Sequence, residues 1–325
     1  MRFKLAVSVI GALMALPGLA FAQQPIESVG GRALGMGGAF VAVADDASAT
    51  YWNAAGLATA GPAGVTIGSA DFRTGNQKGD PAVGLTRRRS YFSSVGTLPA
   101  GLSYVRIAGT RVTSVSAAGA RTETFTTQQY GFNLLQTLVP GLVVGANLKW
   151  VRGTVSEAAG SGLSVDQLFS DATESSSHTS SAFDLDLSVM ADLKPVRVGL
   201  VMKNVRQPGF TNVAGMATRV PREIRGGVAV MPRAGVTLAL DMDLDTVDLW
   251  DGPRRMIAFG GESRLTTRLV ARAGVRWNLK DDTRRPVYTA GASVRVSKSM
   301  WLDTHYTMGD ITRDRGLGAA LRAGF

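Results

Sequence analysis

From about Pro62 onward the chain breaks into short segments in which apolar residues alternate with polar or small ones, separated by turn residues. Period-two alternation marks a strand whose two faces meet different surroundings. The clearest segment runs from Val236 to Asp245: Val236, Leu238, Leu240, Met242 and Leu244 share one parity, and Thr237, Ala239, Asp241, Asp243 and Asp245 the other. Between Leu265 and Leu279, Arg268, Arg272 and Arg276 share a parity with Asn278, against Leu269, Ala271, Ala273, Val275 and Trp277. Asp184 and Asp186 likewise oppose Phe183, Leu185, Leu187 and Val189. An arginine facing lipid at the bilayer midplane costs roughly 2–4 kcal/mol, so charges held on one parity must face the lumen if the strands close into a membrane barrel.

The connections agree with a barrel. Tight ones fall at Leu98-Pro99-Ala100, Pro140-Gly141, Lys194-Pro195, Met231-Pro232-Arg233, Ser263-Arg264 and Lys298. Longer ones lie between them, near residues 73–88, 112–121, 156–180, 208–220, 246–253, 280–285 and 310–315. Short turns on one side and long loops on the other are the habit of outer-membrane barrels, and the count predicts about fourteen strands. The expected fold is therefore all-β, a transmembrane antiparallel β-barrel over residues 62–325. Its last strand, with Leu317, Ala319, Leu321, Ala323 and Phe325 on one face, resembles the terminal strand of bacterial outer-membrane barrels.

The other end of the chain carries Arg2 and Lys4, an apolar run from Leu5 to Leu16, and Ala20-Phe21-Ala22 before Gln23. This pattern predicts a secretion signal over residues 1–22, cleaved near Ala22. No later stretch is long and apolar enough for a membrane-spanning helix, and with no cysteine there is neither a disulfide nor a lipidation site. The expected location is the bacterial outer membrane.

Charge and candidate chemistry add less. The net charge of +10 would suit nucleic acid, but a secreted chain meets none in normal duty, and lipopolysaccharide phosphate is the more natural anionic partner. Arg87, Arg88 and Arg89, Arg254 and Arg255, Arg284 and Arg285, and Arg313 and Arg315 fall at long-loop ends, where they either meet phosphate, which their planar forks suit, or stand as solvated loop charge. Trp150, Trp250, Trp277 and Trp301 lie near strand ends, as interfacial girdle residues do. Lumen-parity charges of both signs, among them Asp184, Asp186, Asp241, Asp243, Asp245, Arg268, Arg272 and Arg276, either line a polar conduit or, as expected here, pair with one another and with plug groups. Lys149, Arg197, Lys203, Arg295, Asp303 and Arg322 belong to the same set. In the loop 156–180, Ser164-x-x-Gln167 before Leu168 and Phe169 predicts a short capped helix, either packed on the rim or offered as a docking patch. His178 and His305 stand without a nucleophile motif, and no metal-ligand cluster or phosphate-binding glycine loop is present, so neither catalysis nor a cofactor is expected.

Residues 23–61 lie between the signal and the first strand. Their core reads Gly31-Arg-Ala-Leu-Gly-Met-Gly-Gly-Ala-Phe-Val-Ala-Val-Ala-Asp-Asp-Ala-Ser-Ala-Thr-Tyr-Trp-Asn-Ala-Ala-Gly-Leu57. It is too glycine-rich at its start for a stable helix, although Asp45 or Asp46 could cap a short one through Tyr51. A small-residue, apolar segment before a barrel has one natural location, inside it. The run resembles the N-terminal region of the FadL-like superfamily of outer-membrane proteins, especially the PorV/PorQ-like branch. The likeness lies in Gly30 to Ala39, Ala44 to Ala49 and Trp52 to Leu57. Where that branch has Asn-Pro-Ala this chain has Asn53-Ala54-Ala55, which loosens the local turn. The resemblance implies a fourteen-stranded barrel plugged by this segment. It implies passive uptake of hydrophobic small molecules such as long-chain fatty acids, or alternatively binding of secreted proteins or secretion machinery. The plug residues expected to meet a ligand, or to seal the lumen, are Leu34, Met36, Phe40, Val41, Val43, Tyr51, Trp52 and Asn53.

Overall fold

The computed structural model describes residues 20–21, 25–75, 84–116, 119–160, 167, 169, 173–212, 217–250, 252–281, 285–309 and 315–325. Most of the expected secretion signal, and Ser164, Arg284 and Arg313, lie outside the described residues. The predicted loop helix therefore lies largely outside them as well.

The barrel strands are β1 (Ala63–Thr74), β2 (Thr86–Thr97), β3 (Ala100–Ser116), β4 (Gly119–Val139), β5 (Leu142–Gly160), β6 (Thr173–Asp192) and β7 (Val196–Lys203). They continue as β8 (Glu223–Arg233), β9 (Val236–Asp243), β10 (Met256–Arg264), β11 (Leu269–Asn278), β12 (Val287–Arg295), β13 (Met300–Gly309) and β14 (Arg315–Gly324). Each pairs antiparallel with the next, and β14 returns to β1 with Leu321 opposite Ile67, so these fourteen strands form a closed barrel. Closure leaves no unpaired strand edge.

The burial pattern is inverted relative to a water-soluble protein. Leu102, Leu238, Tyr288 and Leu317 are 61%, 55%, 52% and 63% exposed on the outer face, while Lys149, Asp184, Arg225 and Asp241 are no more than 1% exposed inside. Along β9, Leu238 and Leu240 face out and Ala239, Asp241 and Asp243 face in, as the alternation predicts.

Several strand ends depart from the expected limits: β3 and β4 run on through the loop expected over 112–121, to Ser116 and from Gly119, and β5 and β6 through that expected over 156–180, to Gly160 and from Thr173. The segment expected to begin at Leu265 enters the sheet only at Leu269. Residues 265–268 form the tight turn, where the Arg268 N–H donates to Thr266 Oγ1 at 3.1 Å and the Arg268 carbonyl accepts from the Arg295 N–H at 2.9 Å. Threonine hydroxyls hold turns in this way. Arg268 is consequently exposed at the rim and is not a lumen charge, and Arg295 is exposed beside the neighbouring turn. Similarly, β8 runs through Pro232 to Arg233, and the turn falls at Ala234–Gly235, where Gly235 takes a φ of 80°. Glycine enters that region without steric cost.

The N-terminal segment packs against the inward faces of the strands. Ile26, Met36, Phe40, Val41 and Trp52 are at most 1% exposed. Contrary to the expectation from glycine content, Gly31–Gly35 forms a one-turn helix, α1. The glycines let it lie flat on the wall: a Cβ at Gly31 would come 3.3 Å from the Asp303 carbonyl oxygen, and one at Gly35 would come 3.1 Å from Gly291 Cα. Here packing overrides propensity. The second helix, α2 (Ala49–Trp52), is preceded by Ser48 at the N-cap position. Asp46 does not cap it directly; its Oδ1 accepts the Ser48 N–H at 2.9 Å.

Strand glycines make room for the segment. A Cβ at Gly199 of β7 would sit 2.6 Å from the Val41 carbonyl oxygen, and one at Gly145 of β5 would sit 2.6 Å from Ala55 N. At Gly260 of β10 and Gly274 of β11 the Met36 carbonyl group occupies the space a side chain would need. Gly274→Leu is therefore expected to cost about 1–3 kcal/mol through overpacking and to loosen the segment. Limited proteolysis of the folded barrel should then cleave within residues 25–60 faster than in the unsubstituted protein, with the barrel itself remaining resistant.

Candidate functional site

The apolar residues expected in the plug come together where the segment crosses the barrel. Phe40 meets Trp52 edge-on at 5.8 Å between ring centroids, and Tyr51 meets Trp52 at 6.0 Å and Phe92 of β2 at 6.3 Å. Met36, Val41 and Val43 belong to the same buried cluster. Leu34 lies apart, lining a void with Glu27 and His305. Trp52 Nε1 donates to the Val29 carbonyl at 3.0 Å, and Asn53 Nδ2 donates to the Val41 and Val189 carbonyls at 2.9 and 3.2 Å. Asn53 Oδ1 also accepts the Ala55 N–H at 3.1 Å, opening the 3-10 turn over Ala54–Thr59. A side-chain cap thus sets the turn that lacks a proline.

Polar contacts fix the segment to the wall. Asp241 Oδ2 accepts the N–H groups of Phe40 and Val41, each at 2.8 Å. Lys203 Nζ donates to the Tyr51 carbonyl at 3.0 Å and sits 3.1 Å from the centroid of its ring. Arg32 of α1 pairs with Asp45, with Asp46 at 2.9 Å and with Glu262 of β10 at 2.8 Å. Glu262 also holds Arg272 at 2.5 Å, and Arg322 reaches Asp303 at 3.1 Å. Arg225 bridges Glu27 at 2.5 Å and Asp243 at 2.6 Å, and Arg254 closes on the other Glu27 oxygen. Around the ring, Lys149 lies 3.0 Å from Asp184 and 2.7 Å from Asp186. Arg276 is buried beside Phe72 at 5.8 Å from its centroid.

Of the lumen charges expected from parity, Asp184, Asp186, Asp241, Asp243, Arg272 and Arg276 are inside; Arg268 is not. Glu27, Arg32, Arg225 and Glu262 join these buried charges without having been expected among them, and Arg254, expected at a loop end facing phosphate, turns in onto Glu27. Arg225 and Glu262 had the same parity signal as the rest, whereas Glu27 sits in a segment with no periodicity to read. Of the expected girdle tryptophans, Trp150 and Trp277 face outward. Trp250 instead lies under Arg111, 4.6 Å from its guanidinium carbon, against a buried cluster that includes Phe125. Trp301 shares the inward parity of Asp303, with Arg295 5.5 Å from its ring.

Burial opposes ionisation of Glu27 and Asp46, but neighbouring guanidinium groups outweigh it. Arg225, Arg254 and Arg276 hold the Glu27 carboxyl, and Arg32 and Arg322 the Asp46 carboxyl, below the ordinary range. A carboxylate whose folded pKa is depressed stabilises the fold fully above its unfolded value, near 4, and loses that contribution as pH falls through the folded value. The segment is expected to stay protease-resistant from neutral pH down to about 4 and to become cleavable by an acid-stable protease below that. Arg32→Met takes one partner each from Asp45, Asp46 and Glu262, leaves Glu262 on Arg272, and is expected to weaken docking by roughly 1–3 kcal/mol. The same proteolysis assay at neutral pH reads that loss.

Cavities divide sharply. Two voids between segment and wall hold about 10 Å³ each, room for about one water molecule. A cavity of about 610 Å³ lies instead in the outer wall. Outward-facing Tyr104, Tyr130, Leu148, Trp150 and Phe183 line it, and the small inward-parity residues Ser94, Ser103 and Gly131 reach it from the lumen side. Close behind, Asn133 is fully buried with neither side-chain polar atom hydrogen-bonded.

No protein-family model matches this sequence, and a comparison with curated proteins gives no match. Solved structures do resemble it. The CymD monoaromatic hydrocarbon channel aligns with a TM-score of 0.65 and 16% identity, over 94% of this chain and 99% of its own. A Pseudomonas aeruginosa FadL homologue aligns with a TM-score of 0.64 and 11% identity, over 94% and 99%. The Pseudomonas putida toluene transporter TodX gives a TM-score of 0.62 and 11% identity, over 93% and 99%. The shared feature is the fold, a FadL-like closed barrel of fourteen antiparallel strands.

Proposed function

We propose that this protein is an outer-membrane channel for uncharged hydrophobic small molecules, exported by a signal over residues 1–22 and plugged by residues 23–61. The apolar outer face, 62–325 wrapped into a barrel, is what a bilayer requires of a spanning sheet. The observation that carries the transport reading is the 610 Å³ apolar cavity in the wall, lined by outward-facing aromatic side chains with small inward-parity residues behind it. A hydrophobe has somewhere to sit at the wall, where small side chains thin the barrier between the two faces.

Aromatic lining favours compact apolar ligands of the kind named for CymD and TodX. It favours them over fatty acids because Lys149, the one cation at the cavity, is already matched by Asp184 and Asp186. Met36, Phe40, Val41, Val43, Tyr51 and Trp52, with Leu34 and Asn53, act in this reading as the seal that must shift for passage into the periplasm. The PorV/PorQ-like alternative, a barrel that holds secreted proteins, rests on the motif residues 30–58 alone.

The test is uptake of radiolabelled toluene by proteoliposomes. The wild-type protein should raise uptake well above protein-free vesicles. Ser93→Trp, which fills the cavity from its outward-facing side, should bring it close to background while heat-modifiable migration shows an intact barrel. Absence of uptake by the wild-type protein, or undiminished uptake by Ser93→Trp, would contradict the reading.

A further inference from the structure

Above the aromatic cavity, toward the long-loop end, the outer face carries an imbalance of charge. Arg73 on β1, Arg87 and Arg89 on β2, Arg106 on β3 and Arg152 on β5 all have outward parity. Asp71, paired with Arg87, is the single carboxylate in the same patch among the described residues. Register places these side chains together. Arg89 stands opposite Asp71, and Arg73 opposite Arg87. Arg106 is opposite Tyr91, a diagonal step from Arg89, and Gln128 separates Arg106 from Arg152 in one row across three strands. Diagonal neighbours lie about 7–8 Å apart, within reach of one ligand for side chains of this length. Arg89, Arg106 and Arg152 are exposed.

The patch borders the apolar band directly. Tyr91 packs against Tyr104 at 6.0 Å, Tyr104 against Tyr130 at 5.2 Å, and Gln128 Nε2 donates to Tyr104 Oη at 3.3 Å. Other arginines expected at loop ends do not contribute to it. Arg88 turns inward onto Phe72, Arg254 pairs with Glu27, and Arg255 Nε donates to the Asp243 carbonyl.

We propose that this patch is a binding site for the phosphorylated headgroup of lipopolysaccharide, with Arg89, Arg106 and Arg152 as its principal phosphate ligands and the acyl chains lying over Tyr104, Tyr130 and Trp150. Three exposed guanidinium groups, Arg89, Arg106 and Arg152, at the upper edge of an outward apolar band complement a ligand with phosphates above and hydrocarbon below. Bidentate forks suit phosphate oxygens. Zwitterionic phospholipid offers no matching excess of negative charge. The inference rests on the outer-membrane location proposed above and not on transport.

The experiment uses the full chain purified in detergent, with diphosphoryl lipid A in mixed micelles as the probe and native mass spectrometry as the readout. Each arginine near an anionic surface contributes a factor of roughly five. Arg152→Gln should therefore weaken retention about fivefold, and the triple variant R89Q/R106Q/R152Q on the order of a hundredfold. A control triple, R233Q/R264Q/R268Q, removes equal charge from the tight-turn rim and should retain lipid A as the wild type does. Dephosphorylated lipid A should be retained far less than the diphosphoryl form by the wild-type protein, a comparison that needs no variant to fold. Equal retention of the two lipids, or wild-type retention by the folded R89Q/R106Q/R152Q barrel, would overturn the site. Toluene uptake that persists in that triple variant would confine such a failure to this inference.

Discussion

The constraint on which the rest depends is the inside of a closed, filled barrel. The outer face is apolar, so the polar strand positions and the irregular backbone of residues 25–60 are confined together in the lumen. Charged groups there need partners, because an unmatched buried charge costs several kcal/mol. The answer is a mutual arrangement. Asp241 serves two backbone N–H groups of the segment, Arg225 and Arg254 serve Glu27, and Arg32 joins Asp45 and Asp46 to Glu262 on the wall. Neither partner is complete alone. Glycines at 145, 199, 260 and 274 then set how closely segment and wall approach.

This arrangement gives the segment two kinds of attachment with different consequences. The aromatic cluster of Phe40, Tyr51 and Trp52 fills space and excludes water without strong directionality. The ion pairs are directional and come apart only if both partners are resolvated or re-paired. A shift that keeps the charges within one another's reach is far less costly than one that exposes them. Under the proposed transport role, displacing the apolar groups of the segment is therefore the less costly way to open the lumen.

Much of the barrel was legible in the sequence because one physical difference, an apolar outer face against a polar inner one, is written into every second residue. The Leu238–Asp243 alternation and the pairing of Arg272 and Arg276 with the inner face follow from it directly. Arg268 was misplaced because parity continues arithmetically through a turn, whereas the Thr266 hydroxyl ends the strand's geometry. Composition marks the N-terminal segment as apolar and small-residue-rich, but its contacts are not written there. Ile26 and Glu223 are 197 positions apart and hydrogen-bonded, and no local pattern records such a pairing. The helix at Gly31–Gly35 escaped for the same reason: the wall, not the sequence's own propensity, holds it. The outward arginine patch was half visible as charge near loop ends, yet only register shows that Arg106 and Arg152 belong to it and Arg88 does not.

The central claim is that the buried segment closes the lumen and must shift for a hydrophobe to pass. The chain has no cysteine, so an introduced pair forms a single possible disulfide. A Cβ at Gly96 of β2 would lie 3.8 Å from Ala47 Cβ of the segment, with only the end of the Leu57 side chain to displace. That separation matches a disulfide. Toluene uptake by proteoliposomes of the A47C/G96C protein is the most direct measurement. The account requires uptake to fall when the pair is oxidised and to return on reduction. Equal uptake in the oxidised and reduced states, with the cross-link verified by mass spectrometry, would contradict it.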